Sequence, residues 1–233
     1  MAAVDILAFG AHPDDVEIGM AATVAKHTRS GRSVGIIDLT CGELGTNGTV
    51  ADRLAEGLRA ARVLGAAFRE NLGLPDRGIE DTAAHRRVVV EAIRQHRPQV
   101  VCVSRGVDRH PDHVAAYRLV NAACFDSGLR RLEAAGTPHR PLRILYYFIN
   151  LDCRPDFIVD VSDAYPAKVE ALACHSSQFQ LGPGQYPTTL NQPGFPRLVR
   201  GRDAYFGALI GAEFGEGFVV REPVKVQDLV SLV

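Results

Sequence analysis

Apolar residues along this chain come in short, nearly unbroken runs, separated by stretches in which they recur every three or four positions. The first run, VDILAFG (residues 4–10), stops at glycine. SVGIIDLT (33–40), QVVCVS (99–104) and RILYYFIN (143–150) repeat the pattern, and a weaker run lies at 67–72. Runs of this length and continuity read as strands covered on both faces. Residues 14–30 carry Val16, Met20, Ala21 and Val24 at helical spacing, with Gly31 as a stop. Residues 51–64 put Leu54, Leu58, Ala61 and Leu64 on one face before Gly65. Further helices are expected over 82–96, ending before Pro98, and over 112–135. This alternation predicts an α/β fold: a Rossmann-like, doubly wound, mostly parallel sheet.

The last third changes character. A strand is expected at 157–163 and a helix at 163–175. Residues 180–201, QLGPGQYPTTLNQPGFPRLVRG, are dense in glycine and proline and read as a long ordered loop, with a helix at 202–213 and a strand at 216–221 after it. A loop of that length in a compact domain is usually functional. With no repeat or linker in view, residues 1–233 are expected to form a single domain: a core of about residues 1–150 and a C-terminal elaboration of about 151–233.

Composition narrows the partners. The formal net charge is -1, so no global basic field draws in nucleic acid. No apolar run approaches the ~18 residues needed to span a membrane. The N-terminus lacks a basic leader segment, so a cytoplasmic protein is expected. The five cysteines, Cys41, Cys102, Cys124, Cys153 and Cys174, are widely spaced and form no C-x-x-C pair. That argues against a disulfide framework and against a cysteine zinc site.

Two strand-end loops carry the chemistry. AHPDD follows the first strand and RGVDRHPDH (105–113) follows QVVCVS. Each sets histidine and aspartate around a proline just before a helix. Acidic residues at a helix start also suit its dipole, and Pro13 suits a first helical position. His12 gains nothing from that dipole when charged. His12 and Asp15, three apart, can meet one cation, with His110 or His113 as a third ligand. Two histidines and a carboxylate with an open position suit catalytic Zn²⁺, and also Fe²⁺. Asp14 then remains free beside the metal. GELGTNG (42–48) is not a phosphate loop, and no G-x-G-x-x-G, G-x-S-x-G or H-E-x-x-H is present.

AHPDDVEIG, TCGELGTNGT, RLAEGLRAARVLG, HPDH and CHSSQF, in this order from residue 10 to about 179, resemble the LmbE/PIG-L family of zinc-dependent N-acetylglucosaminyl deacetylases. The tail AYFGALIGAEFGEGFVV is similar to the family's bacillithiol branch. The resemblance implies His12, Asp15 and His113 as metal ligands and Asp14 as general base. It implies His110 as the group that steadies the oxyanion or protonates the leaving amine, and Arg53 as a substrate contact. Cys41 stands where many relatives carry arginine. The implied substrate is N-acetylglucosaminyl malate, and the implied assembly a homo-oligomer.

Around these residues, Asp112 is a candidate to orient His110 or to cap the following helix. Arg109 is a candidate partner for substrate carboxylates. Tyr186, Thr188 and Asn191, in the Gly/Pro-rich loop, are candidate sugar contacts, while Glu43 and Glu56 are expected to organise loops. Competing readings are another N-acetyl sugar (a mycothiol precursor, an antibiotic glycoside or a chitooligosaccharide) and a non-catalytic metal- or sugar-binding protein. A pure binder has no need of a base such as Asp14.

Overall fold

Five parallel strands form the centre of the sheet, in a computed structural model that describes residues 3–150, 154–228 and 230. They are β1 (Ile6–Gly10), β2 (Val34–Thr40), β3 (Phe68–Leu74), β4 (Val100–Ser104) and β5 (Arg143–Tyr147). β6 (Phe157–Asp160) and β7 (Gly215–Val219) complete the sheet in the order β3-β2-β1-β4-β5-β7-β6. β7 runs antiparallel to both of its neighbours. The doubly wound α/β fold read from the apolar pattern is therefore present, with an antiparallel edge supplied by the C-terminal third. β1 pairs with β2 on one side and β4 on the other, so the strand order reverses between β1 and β4. Ligands of such sheets bind outside the strand C-termini at that reversal.

The helices are α1 (Asp15–Arg29), α2 (Val50–Leu64), α3 (Ala83–His96), α4 (Pro111–Asp126), α5 (Tyr165–Cys174), α6 (Ser176–Phe179) and α7 (Gly194–Leu209). Alternate strand residues feed two cores. Ala8, Ile36, Cys102 and Tyr147 pack with α1, α2 and α5. Leu7, Phe9, Ile37, Val101, Val103 and Tyr146 pack with α3 and α4. Burial on both faces explains why the strands are continuous rather than alternating. Gly19 lets α1 lie on the Tyr147 ring, which a Cβ there would strike.

Several elements differ from the expectation. α4 ends at Asp126, not near 135. Beyond it the buried Arg94 guanidinium collects the carbonyls of Ser127, Leu129 and Ala134, which a continuing helix would have used internally. α7 begins at Gly194, within the expected loop, because a proline in a first helical turn lacks only an N–H that would be unpaired anyway. β5 stops at Tyr147, β6 at Asp160 and β7 at Val219, and the expected 163–175 helix ends at Cys174 with α6 following. On α2, Ala61 and Leu64 are buried as expected, and the inward face departs from the expectation at one position. Leu58 is 45% exposed, whereas Arg53 and Glu56 are buried because each finds polar partners. Pro13 lies outside α1, whose first residue is Asp15.

Among the described residues no disulfide forms; Cys102 and Cys124 are buried, and Cys153 lies outside the described residues. Within the described residues no helix is long and apolar enough to cross a membrane.

Candidate active site

The two loops meet at the strand-order reversal. Asp15 folds back over the first loop, its Oδ2 accepting from the backbone N–H of Ala11 at 2.8 Å and of His12 at 3.0 Å. Its two oxygens then face two imidazoles. Oδ2 is 3.6 Å from His12 Nδ1, and Oδ1 is 3.1 Å from His113 Nε2. The other nitrogen of each ring is held from outside by carboxylate. His113 Nδ1 meets Asp108 at 3.0 Å, and His12 Nε2 meets Asp76 at 3.2 Å and Asp112 at 3.3 Å. An imidazole tethered on one side and directed at a shared carboxylate on the other is the usual arrangement of a metal-binding histidine. Asp15 thus sits against both rings, while the groups whose ligand atoms all fall within 4.8 Å of one another centre on His12. They are His12 with His110 and His113, and His12 with Asp76 and Asp112.

Electrostatics point the same way. Burial by itself would lower the pKa of His12 and His113. The surrounding aspartates outweigh it, raising His12 well above the ordinary imidazole value and His113 to about 9. Positive charge is favoured at this spot.

Asp14 is the N-cap of α1 by position, yet its carboxylate makes no capping hydrogen bond. Its backbone sits at φ 139°, in a region that non-glycine residues enter at a cost of roughly 1–3 kcal/mol. Arg53 reaches in from α2, donating from Nη2 to Asp14 Oδ2 at 3.3 Å and to the Pro13 carbonyl at 3.0 Å, and from Nη1 to the Gly42 carbonyl at 3.1 Å. Gly42, at φ 65°, leaves room for that guanidinium where a Cβ would collide with it. Burial pushes the Asp14 carboxyl up to about 6, against the pull of Arg53.

His110 caps α4. The Asp112 N–H donates to His110 Nδ1 at 3.3 Å, which leaves the ring proton on Nε2. Burial, then the charges of His113 and His12, lower its pKa. The Asp112 carboxylate is not what orients His110, as one expectation had it; only the Asp112 backbone N–H reaches that ring. The carboxylate oxygens are taken by His12 and by Arg77, whose Nη1 is 2.9 Å away.

A cleft of about 300 Å³ opens above these groups, lined among others by His12, Asp14, Asp15, Arg53, His110 and His113. Arg109 and Thr188 also line it, together with Asp76, Arg77, Asn150 and Gln178, which the sequence reading did not single out. Tyr186 and Asn191 do not line it. The Tyr186 ring is 67% exposed, and its backbone N–H and C=O are bound by the Asn47 side chain at 2.8 Å each. Asn191 is spent on its own loop, donating to the Tyr186 carbonyl at 3.0 Å and accepting from the Thr188 N–H at 2.8 Å. Glu43 accepts from the Asp76 N–H, and Glu56 from Ser176 and Ser177, so both tie loops together. Asp108, in the same 105–113 loop, is a further member of the site through His113. Asp76 and Arg77 sit in a turn after β3 that no spacing relates to the other loops.

Residues 7–124 match the family model PIG-L, described as GlcNAc-PI de-N-acetylase. A diacetylchitobiose deacetylase of Thermococcus kodakarensis is 31% identical over 91% of this chain and 81% of its own length. The chain belongs to the PIG-L family. A second PIG-L relative, the 1D-myo-inositol 2-acetamido-2-deoxy-alpha-D-glucopyranoside deacetylase of Mycobacterium sp. (strain JLS), is 29% identical over 80% of this chain and 78% of its own. The solved structure of a conserved protein from Thermus thermophilus superposes with a TM-score of 0.87 at 37% identity, covering 97% of this chain and 98% of that one. The model match runs from β1 into α4 and so contains both strand-end loops, whereas Thr188 and the rest of the loop roofing the PIG-L cleft lie beyond it.

Proposed function

We propose that the protein is a divalent-cation-dependent hydrolase that removes the acetyl group from an N-acetylglucosaminyl glycoside. The observation that carries this is Asp14. It is a buried carboxylate on the cleft wall, aimed by an arginine, not spent as a helix cap and adjacent in sequence to a residue of the cation-ready cluster. The residues that would hold the cation are His12, Asp15 and His113. Zn²⁺ is the first choice, with Fe²⁺ the alternative on the same donors. Such an ion supplies a Lewis acid for the acyl oxygen and lowers the pKa of water to about 7.

Asp14 takes the proton of the attacking water. The Nε2–H of His110, fixed as a donor by its helix-capping Nδ1, stabilises the developing negative charge on the acyl oxygen. Asp14 then returns the proton to the leaving amine, giving acetate and the free amino sugar. Asp108, Asp76 and Asp112 keep the imidazoles in register.

The preferred glycoside is N-acetylglucosaminyl malate, as in bacillithiol formation. Arg109 on the cleft wall supports it, since guanidinium pairs with carboxylate bidentately. Names of relatives support the wider class of acetylated glucosamine glycosides, chitobiose and the inositol glycoside included. The same reading keeps residues 1–233 as one domain and carries assembly into a homo-oligomer, which sedimentation of the purified chain tests.

The deciding experiment is amine release by metal-loaded protein from N-acetylglucosaminyl malate, diacetylchitobiose and N-acetylglucosamine. A strong preference for the malate glycoside supports the full reading. Equal or better turnover of chitobiose keeps the deacetylase and replaces the substrate. Metal binding without turnover of any of them favours a binding protein.

A further inference from the structure

α1 is broken at Met20, whose φ of -151° and ψ of 21° leave the helical region. In an unbroken helix the N–H of Ala22 would donate to the carbonyl of Ile18. Here Ala22 donates to Glu216 Oε1 at 3.2 Å and Thr23 to Glu216 Oε2 at 2.6 Å. The Ile18 carbonyl accepts from Arg202 Nη2 at 2.7 Å. Both sides of the break are thus satisfied by charged side chains, one from β7 and one from α7. Lys168 of α5 lies 2.7 Å from Glu216 Oε1 and 2.8 Å from Asp203 Oδ2, and Arg202 Nε is 3.0 Å from Asp203 Oδ1. Two cations and two carboxylates balance in a buried group, which is how buried charge is tolerated.

Arg202 also reaches the other side of the cleft. Its Nη1 donates to the carbonyls of Phe148 at 2.9 Å and Ile149 at 3.0 Å. The next residue, Asn150, donates from its backbone N–H and Nδ2 to Asp108 at 3.2 and 3.0 Å. Asp108 holds His113, His113 faces Asp15, and Asp15 stands one turn before Ile18 on α1. The contacts close a ring: Arg202, Ile18, Asp15, His113, Asp108, Asn150, Ile149 and back to Arg202.

We propose that Arg202 is a positioning residue that sets the separation of Asp15 and His113 by tying the first turn of α1 to the chain leaving β5. A single planar guanidinium with several fixed donors can clamp carbonyls from two elements at once, and lysine cannot reproduce that fork. The elaboration beyond residue 150 is then part of the cation site's framework. The inference rests on the proposed function only in taking His12, Asp15 and His113 as the ligands.

The test measures zinc affinity by competition with a chelating dye, beside kcat, KM and thermal midpoint. It compares Arg202→Met, Asn150→Ala and a control, Val199→Ala, a buried α7 residue outside the ring. Arg202→Met and Asn150→Ala are expected to weaken zinc binding about 10–100-fold, the usual effect of losing an outer partner of a ligand. Arg202→Met is expected to lower kcat with KM changed less than about twofold, while Val199→Ala loses thermal stability and keeps its zinc affinity. Native zinc affinity in Arg202→Met overturns the proposal, as does zinc loss in Val199→Ala in proportion to its lost stability. If Arg202→Met does not fold, Arg202→Lys decides, since it keeps the buried positive charge and loses the fork: weakened zinc binding there supports the proposal and native zinc affinity overturns it. Weakened zinc binding in the variants, with no acetyl sugar turned over by the parent, removes the proposed reaction and leaves the positioning role standing. A parent chain that binds no zinc removes both.

Discussion

Arg53 Nη2 lies 3.3 Å from Asp14 Oδ2, and both side chains are buried. This pair links α2 to the turn before α1, and it keeps a carboxylate in place where burial alone would favour its neutral form. A general base needs that combination of aim and desolvation.

On the proposed reading, Asp14→Asn keeps the bound cation and lowers kcat by about 10²–10⁴-fold, the usual worth of a positioned acid–base group. Elemental analysis beside steady-state kinetics checks it. A metal-replete Asn variant with near-normal kcat would remove Asp14 as the base.

The two histidines of HPDH should separate cleanly. His113→Ala should lose the cation, because Nε2 of His113 faces Asp15. His110→Ala should keep it and lower kcat by about 10²-fold. It should also cost about 1 kcal/mol of stability, because His110 caps α4. Equal metal loss in both variants would contradict the division of roles.

Arg109→Ala should raise KM for the malate glycoside about tenfold and leave KM for N-acetylglucosamine little changed. An unchanged KM on the malate compound takes Arg109 off the list of substrate contacts.

Arg69, on β3, pairs with Glu17 and with both oxygens of Asp38, and its side chain is 3% exposed. Arg69→Met leaves two buried carboxylates without their cation. Breaking a buried pair in this way costs about 3–5 kcal/mol. Urea denaturation measures it, and a loss under about 1 kcal/mol would mean that His175, 3.3 Å from Glu17, suffices as a partner.

Burial pushes the Cys102 thiol up to about 12 and raises that of Cys124 as well. Thiolate, the form that reacts with iodoacetamide, grows as pH rises, so at pH 8 almost none is present at either site. Both should stay unlabelled in native protein and label fully in denaturant, with the partly exposed Cys41 and Cys174 reacting ahead of them. Peptide mass spectrometry reads the order. Native labelling of Cys102 would show that the sheet opens at β4.

Much of the fold could be read from sequence because its strands are buried on both faces and stand out as apolar runs. The limits of α4 could not. Leu129 and Leu132 continue the helical spacing, and the groups that take the carbonyls at the helix end, Arg94 and Arg140, come from distant positions. The start of α7 was hidden by glycine and proline, which mark loops by frequency while tolerating a first helical turn. His12, Asp14, Asp15, His110 and His113 were legible because each loop is a dense local cluster. Asp76, Arg77 and Asn150 were not, since each reaches the cleft from a turn or strand end whose neighbours are ordinary. Tyr186 and Asn191 were singled out for their chemistry, yet the loop uses the backbone of one and the amide of the other to hold itself in place.

That last arrangement has a practical consequence. Residue 186 is gripped by its N–H and C=O, so no part of the loop's anchorage depends on what its side chain is. Position 186 is therefore a graft point on the outside of the loop. Side chains can be exchanged there while the backbone that holds the loop stays fixed.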